Sequence, residues 1–196
     1  MNLRQQRKAN TRTLLIEVAT NQFGALGYDH ATLPRIARAA GVTTGALYHH
    51  FDGKQALFEV VAEELEKRAQ IDVGARLFEA APSIELLRQI AVATIGVLSD
   101  PVMNQILLID APNVFGIDRW RVVEAKYGLG GLTALMALLQ TNDEIEITSP
   151  EVSARLFLSM TIEASRIANN AIDRAEAEKS GLDFVLRCID GLIKAE

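Results

Sequence analysis

The feature that most constrains the fold of this chain is a pair of short helical patterns in residues 32–51, separated by a Gly41-Val42-Thr43 turn. Thr32 and Thr43 stand where N-caps of the first and second helix are expected. Glycine permits the sharp reversal between the helices, and valine fills the angle between them. This pattern predicts a helix-turn-helix whose second helix is short enough to enter a DNA major groove about 12 Å wide.

The outward face of the second helix is suited to contact with DNA. If Leu47 and Phe51 face the core, helical geometry leaves hydroxyl, phenol and imidazole groups outside, with no carboxylate to repel phosphate. These outward residues are Thr44, Gly45, Tyr48 and either His49 or His50. For the YHHF motif taken alone, packing of Tyr48 and the histidines against neighbouring helices remains an alternative. Within the whole stretch, DNA contact is the favoured interpretation.

Residues 11–57, and above all GVTTGALYHHFDGKQAL, resemble the N-terminal domain of the TetR family of transcriptional regulators. The shared positions are the Gly-Val turn, a helix ending in Leu-Tyr-x-His-Phe and a lysine that opens the next helix, at Gly41, Val42, Leu47, Tyr48, His50, Phe51 and Lys54. The close match covers about a quarter of the chain. It implies an all-α fold with a three-helix DNA-binding domain at 1–55 and a larger helical domain at 56–196 that binds an effector and dimerises.

The position of each residue and the resemblance together predict the DNA contacts. These are Thr32, Thr43, Thr44, Gly45, Tyr48, His49, His50 and Lys54. Thr32 could also present a helix N-terminus to a phosphate. A helix dipole disfavours a lysine in the first turn, so an external phosphate is the expected partner of Lys54, in a helix that Asp52 is expected to cap.

The charge of the chain is divided between its two ends. Residues 1–54 carry seven basic and three acidic side chains, a net charge of +4, whereas the remainder carries −9. Attraction to DNA phosphate is therefore concentrated in the N-terminal part. Residues 4–12 add four cations before the first predicted helix. They could form a disordered, solvated arm or rest on the DNA backbone or in the minor groove.

Composition indicates a cytoplasmic protein without a membrane segment. There is no run of 18 or more apolar residues, and the basic N-terminus lacks the apolar core of a signal peptide. Cys188 is the single cysteine, so no internal disulfide can form.

Helical periodicity predicts seven further helices around the helix-turn-helix. The expected spans are 11–26, 55–78, 83–98, 101–112, 118–140, 149–170 and 180–194, the first ending at Gly27 and the second carrying Glu63, Glu64, Glu66, Lys67 and Arg68 toward water. The loop between the fourth and fifth is expected at 113–116. The last two helices are too apolar to stand uncovered. The resemblance implies that they form a four-helix bundle with the same pair of a second subunit, which makes the protein a homodimer.

The middle of the chain is expected to enclose a pocket for a small, largely apolar effector. Its predicted lining is Met103, Leu107, Asp110, Phe115, Trp120, Tyr127, Glu163 and Arg166. For each of these residues taken singly, an ordinary place in the core or on the surface is the alternative. The existence of the pocket follows from the resemblance.

The sequence predicts no catalytic residues, cofactor or metal site. It contains no nucleophile elbow, phosphate loop or HExxH motif, and adjacent histidines on a helix diverge by about 100°. The favoured interpretation is a dimeric repressor that a small molecule releases from operator DNA. An enzyme with a DNA-binding head is one alternative, which a buried pair of perturbed carboxyl groups in a cleft would favour. Another is a DNA-binding scaffold or activator that acts through a protein partner without a small-molecule effector.

Overall fold

The computed structural model describes residues 3–76 and 81–194, which are almost entirely helical. Two segments have π-helical hydrogen bonding, Asn104–Asp110 and Ala125–Leu129, and we call them the first and second π segments. The helices are α1 (Leu3–His30), α2 (Leu33–Ala39), α3 (Thr44–Tyr48), α4 (Lys54–Arg76), α5 (Ile84–Leu98), α6 (Pro101–Met103), α7 (Ala111–Phe115), α8 (Ile117–Glu124), α9 (Gly130–Thr141), α10 (Pro150–Asn170) and α11 (Arg174–Asp190).

The chain divides into two compact units, and the boundary falls within α4. The first unit comprises Met1–Leu65 and Pro101–Arg119, and the second comprises Glu66–Asp100 and Trp120–Glu196. The predicted boundary at 55/56 also falls in α4. The first unit is discontinuous in sequence, because it takes in the helical segment that follows α5.

An aromatic cluster forms the centre of the first unit. The ring of Phe58 on α4 meets that of Phe23 on α1 edge-on at 5.0 Å and stacks on Phe115 of α7 at 5.5 Å. Apolar side chains from α1, α2 and α3 complete this core, because each helix turns one apolar stripe inward. Fully buried in this core are Leu15, Ile36 and Leu47 from these three helices and Leu57 from α4.

The second unit has a separate core built from α5, α9, α10 and α11. Its buried members include Leu87, Ala91, Leu132, Met136, Phe157, Val185 and Ile189. The continuous helical stretch Ile117–Thr141 is long and apolar enough to cross a membrane by length and composition. Five of its side chains, Leu129, Leu132, Leu135, Met136 and Leu139, instead pack into this core.

The N-terminal basic segment is helical, so the expectation of an arm at residues 4–12 is wrong for the described part. α1 begins at Leu3, and the first π segment and α6 pack against it further along. The sequence LRQQRKA contains strong helix formers and neither glycine nor proline, so α1 already includes this segment. The predicted end at Gly27 corresponds to a break, where the backbone has φ 74°.

α4 begins at Lys54 as predicted, but Asp52 is not its cap. Gly53 precedes the helix, and its carbonyl accepts the first hydrogen bond, from the N–H of Leu57. α4 is described to Arg76, so residues 77 and 78 of the predicted span lie outside the described residues.

Two predicted helix boundaries are also wrong. The helix expected to end near Pro112 runs on to Phe115, because proline is tolerated in the first turn of α7, where its missing N–H is not needed. α11 begins at Arg174 rather than near Ser180, with the Asp173 carboxylate accepting from the N–H of Glu176. By contrast, the cap at Ser149 is confirmed, since its hydroxyl accepts from the N–H of Val152.

Candidate nucleic-acid interface and regulatory site

The turn between α2 and α3 has the predicted helix-turn-helix geometry. Gly41 has φ 68°, a conformation that glycine adopts without a steric penalty. The N–H of Val42 donates to the carbonyl of Ala37 at 3.0 Å, which closes the turn. The Thr43 hydroxyl accepts from the N–H of Ala46 at 3.1 Å and caps α3 as predicted. Thr32 occupies the N-cap position of α2, but its side chain makes no capping hydrogen bond.

The outward face of α3 is open to solvent. Leu47 is fully buried, whereas Tyr48 is 55% exposed and Gly45 and His49 are also exposed. Thr44 is half-buried at the start of the helix. A short helix held from behind by one leucine and presenting polar groups in front can lie in a major groove. The contacts themselves remain predictions.

His50 differs from the other predicted contacts on α3. It is half-buried, and its Nδ1 atom is buried without a hydrogen-bond partner. Burial lowers the pKa of His50, and the nearby charges of Lys8 and Arg12 lower it further. Because His49 is exposed and His50 is half-buried, His49 is the histidine that faces outward.

Lys54 has partners within the protein. Its Nζ donates to the carbonyl of Asp29 at 3.2 Å and lies 4.3 Å from the centre of the Tyr28 ring. These contacts supply an internal reason for a lysine at a helix start, where only an external phosphate was expected. Lys54 is half-buried, and its role in DNA binding stays a prediction.

Basic residues outside the predicted set border the helix-turn-helix. Arg35 and Arg38 on α2 are exposed and line a groove of about 520 Å³ together with Thr32 and the Gln22 amide. The Oε1 atom of Gln22 is buried without a hydrogen-bond partner. Both arginines lie in the stretch whose pattern predicts DNA binding. Their spacing of i, i+3 on α2 places them on one face of the helix, so the sequence alone could have indicated them as DNA contacts.

The N-terminal turns of α1 place further cations beside α3. Lys8 is exposed, and the Arg12 guanidinium lies over the Phe51 ring, 5.1 Å from its centre. The effect of both charges on His50 shows that they are close to the end of the recognition helix. The described part of the basic segment is thus helical.

Four of the predicted effector-site residues belong to the first unit and make contacts within it. Met103 and Leu107 are buried in its core, and Phe115 stacks on Phe58. The Asp110 carboxylate accepts from the N–H of Tyr28 at 2.7 Å and from the Gln105 amide at 3.1 Å. It ties the first π segment to the break at the end of α1.

The other four belong to the second unit, which also contains an acidic pair that was not predicted, buried Glu66 and half-buried Glu124. Trp120 is buried and its indole N–H donates to the Glu124 carboxylate, which also lies near Arg166. Arg166 pairs with the exposed Glu163 one turn earlier on α10. Tyr127 is half-buried beside Lys126.

Glu66 was expected to face water, but it is only 7% exposed. Burial and the charge of Glu124 raise its pKa from 4.5 to about 7, and a hydrogen bond from Gln70 opposes the shift. Burial also raises the pKa of Glu124, opposed by Arg166 and Arg121. The inward direction of Glu66 follows from its spacing on α4, because Ala62, Ala69 and Val73 at i−4, i+3 and i+7 are buried too.

A cavity of about 210 Å³ adjoins this pair. It lies between α8 with the second π segment and α10. Its lining combines Glu124 with apolar side chains and two arginines, namely Arg121, Ala125, Leu129, Arg155, Leu156, Leu158, Ser159 and Ile162. Within the described ranges 3–76 and 81–194, no group of three or more His, Cys, Asp or Glu residues could hold a metal ion.

Two family models match the chain. Residues 15–61 match the model of bacterial regulatory proteins of the tetR family, and residues 84–192 match the tetracyclin repressor-like C-terminal domain. Because the matched segments cover more than half of the chain, it belongs to the TetR family of DNA-binding transcriptional regulators, which are not enzymes.

Curated relatives match in the DNA-binding part. The regulator SrpR of Pseudomonas putida is 42% identical over 62 residues, which is 32% of this chain and 29% of the relative. The repressor AcnR of Corynebacterium glutamicum is 40% identical over 55 residues, 28% of this chain and 29% of the relative. The matches thus span less than a third of the length of these relatives.

Solved structures share the fold over nearly the whole chain. A TetR-family regulator from Pectobacterium atrosepticum superposes with a TM-score of 0.82 at 23% identity and covers 97% of both chains. The regulator RolR, solved in complex with resorcinol, superposes with a TM-score of 0.70 at 16% identity and covers 94% of this chain and 89% of its own. At these identities, the likeness shows the fold alone.

Proposed function

We propose that this regulator is a homodimeric repressor whose two α3 helices read half-sites of an operator and whose release follows the binding of a small molecule. The observation that supports DNA reading most strongly is the open outward face of α3, with Tyr48 and His49 exposed above a fully buried Leu47. Thr32, Thr43, Thr44, Gly45, Tyr48, His49, His50 and Lys54 remain the proposed contacts. Arg35 and Arg38 join them as phosphate contacts.

An apolar face on the two C-terminal helices supports dimerisation. Leu156 and Ile167 on α10 are 65% and 58% exposed, and Phe184 on α11 is 62% exposed. Ile167 and Phe184 line a largely apolar groove of about 550 Å³ to which Met160 and Gly181 also contribute. Exposed apolar surface of this kind is typical of a protein interface. A two-fold dimer formed here would carry two reading heads, for half-sites about one helical turn, 34 to 36 Å, apart or somewhat more.

The 210 Å³ cavity beside Glu124 supports an effector. It is smaller than pockets for drug-sized ligands, which hold roughly 300 to 1,000 Å³, and therefore suits a small molecule. RolR, which has the same fold, binds resorcinol, itself a small molecule. Binding would act by favouring the conformation of the dimer in which the heads no longer fit successive major grooves.

A reporter assay tests the direction of regulation. DNA fragments bound by the purified full chain are selected from random sequence, and the recovered operator is placed over a promoter in a heterologous bacterium. Expression of the chain should lower reporter output. A rise in output would instead favour the activator alternative, and no change in output with a bound operator would favour a scaffold.

A further inference from the structure

The pair of carboxyl groups in the second unit, buried Glu66 and half-buried Glu124, calls for a counter-charge. Glu66 lies on α4, where it is only 7% exposed, and its Oε1 atom accepts a long hydrogen bond of 3.4 Å from the Gln70 amide. An ionised carboxylate in such a place is strongly disfavoured unless a cation or several donors compensate it. The groups that act on Glu66 are Gln70 on its own helix and Glu124 at the end of α8, and neither is a cation.

Glu124 is better compensated than Glu66. Its carboxylate accepts from the Trp120 indole N–H, and Arg121 on α8 and Arg166 on α10 both favour its charged form. Arg166 also donates a hydrogen bond to Glu163, so its positive charge interacts with two carboxylates. Compensating positive charge is therefore present near Glu124 and lacking near Glu66.

Space for a ligand adjoins Glu124. Glu124 lines the cavity of about 210 Å³, whose apolar walls include Leu129, Leu158 and Ile162. At the roughly 30 Å³ that a water molecule takes in the liquid, this volume corresponds to about seven water-sized groups. The second π segment begins directly after Glu124, and π-helical turns occur frequently at functional sites.

The backbone of the second π segment closely approaches Gln70, the hydrogen-bond partner of Glu66. A Cβ atom on Gly128 would lie 2.9 Å from the amide nitrogen of Gln70, the residue that is hydrogen-bonded to Glu66. The glycine lets the second π segment pack against α4 at this point. The segment that supplies part of the cavity wall therefore lies against the helix that carries Glu66.

We propose that Glu66 and Glu124 bind the ammonium group of a small organic cation whose apolar part occupies the cavity beside Glu124. An ammonium group supplies three N–H donors and the missing positive charge. In the absence of the cation, a proton held by the pair takes its place. The inference rests on the proposed function in that it makes this cation the effector, and it adds a charged group to the largely apolar ligand expected from the sequence.

Binding to the purified full chain tests the ligand class. Calorimetry at pH 8 compares 2-phenylethylammonium and cyclohexylammonium with two uncharged or anionic analogues, 2-phenylethanol and 3-phenylpropionate. We expect at least one ammonium ion to bind about tenfold or more tightly than either analogue. Equal or tighter binding of the carboxylate, which Arg121 and Arg155 in the lining would favour, overturns the proposal, as does the absence of binding by both ammonium ions.

Variants test the assignment to Glu66. Glu66→Gln keeps the shape of the side chain and should weaken ammonium binding by about tenfold or more. The exposed Glu64 on the same helix provides the matched control, and Glu64→Gln should bind as the unaltered chain does. Unchanged affinity in Glu66→Gln overturns the assignment.

The pH dependence adds a signature that a structural role would not produce. With a pKa of about 7 for Glu66, the ionised fraction falls about tenfold from pH 8 to pH 6, so ammonium affinity should fall by the same factor. In Glu66→Gln this dependence should disappear, and its persistence would contradict the proposal.

Operator binding, measured in the same solutions, separates the two proposals. Glu66-dependent ammonium binding that leaves operator affinity unchanged supports the ligand site and contradicts its role as effector site. Release of the operator by the ammonium ions with equal potency in Glu66→Gln supports an effector response and overturns the Glu66 site.

Discussion

At the scale of single residues, Glu66 links the stability of the second unit to pH. Its carboxyl group is buried in the folded chain, where its pKa rises from 4.5 to about 7. The folded state therefore holds a proton that the unfolded chain has released at neutral pH. This contribution to stability is fully present below about pH 4.5 and is lost as the pH rises through 7.

We predict that Glu66→Gln stabilises the chain at alkaline pH. A shift from 4.5 to about 7 corresponds to a cost of about 3 kcal/mol for the ionised form, which the neutral amide avoids. Urea unfolding at a fixed protein concentration should show the variant more stable at pH 8.5 and nearly equal to the unaltered chain at pH 5. A difference that does not depend on pH would contradict the buried position of this carboxyl group.

Arg35 and Arg38 are predicted to contact phosphate rather than bases. Arg35→Ala and Arg38→Ala should each weaken binding to all DNA sequences and reduce the slope of log affinity against log salt by about 1. Arg68→Ala, on an exposed arginine paired with Asp72 in the acidic part of the chain, is the matched control. A salt slope equal to that of the control would remove the two arginines from the interface.

The residues that the sequence predicted best are those defined by a local pattern. Thr43 caps α3, and Tyr48 faces outward, because cap spacing and helical periodicity act over a few residues. The charge of Glu66 predicts exposure to water, and this prediction is wrong because the helical spacing of Glu66 places it on the buried face of α4. The partners of Lys54 are the Asp29 carbonyl and the Tyr28 ring, which lie 25 residues or more away in sequence. No local pattern could indicate them.

At the scale of helices, local signals predicted some starts correctly and missed others. The proline and acid after Ser149 correctly marked the start of α10. The first turn of α11 was missed because residues 174–179 are polar and give no apolar periodicity, although they are good helix formers. The two π segments follow from packing against other helices, for which the sequence of a single helix carries no clear signal. The GLGG run at 128–131 lies inside a continuous helix, as predicted.

Two glycines in this run should respond differently to alanine. Gly130 has helical φ and ψ of −62° and −47°, and a Cβ there would meet nothing within 4 Å, so Gly130→Ala should stabilise the chain by about 0.5 to 1 kcal/mol. Gly128→Ala should lose this gain, because its Cβ displaces the Gln70 amide. Thermal unfolding of both variants checks the difference. Equal stabilisation by both would show that Gly128 is not a point of close approach.

At the scale of the whole molecule, charge and exposed apolar surface are separated along the chain. The net charge of +4 lies in residues 1–54, whereas the apolar face of α10 and α11 belongs to the acidic remainder. This separation suits a protein that binds DNA at one part and a second copy of itself at another. The length of the chain and its resemblance to a family predict a DNA-binding part and a larger second part. The discontinuous first unit, which includes residues 101–119, was not predictable from the order of elements.

A charge on the apolar face should dissociate the dimer. Phe184→Asp should convert the chain to monomers at micromolar concentration and weaken operator binding strongly, because the two heads no longer bind as one unit. Sedimentation velocity checks the mass. Val92→Asp, at a 48% exposed apolar position on α5, is the control and should leave the mass unchanged. A monomeric unaltered chain, or a dimeric Phe184→Asp, would contradict the interface.

The most direct test of the account is the selection of bound DNA from random sequence by the full chain and by a Thr44→Asn variant. If the outward face of α3 reads base edges in a two-fold assembly, the unaltered chain should recover an inverted repeat. The variant should recover one whose preferred bases change at the same position in both half-sites. Recovery of no motif, of a motif without two-fold symmetry, or of the identical motif by both proteins would contradict the account.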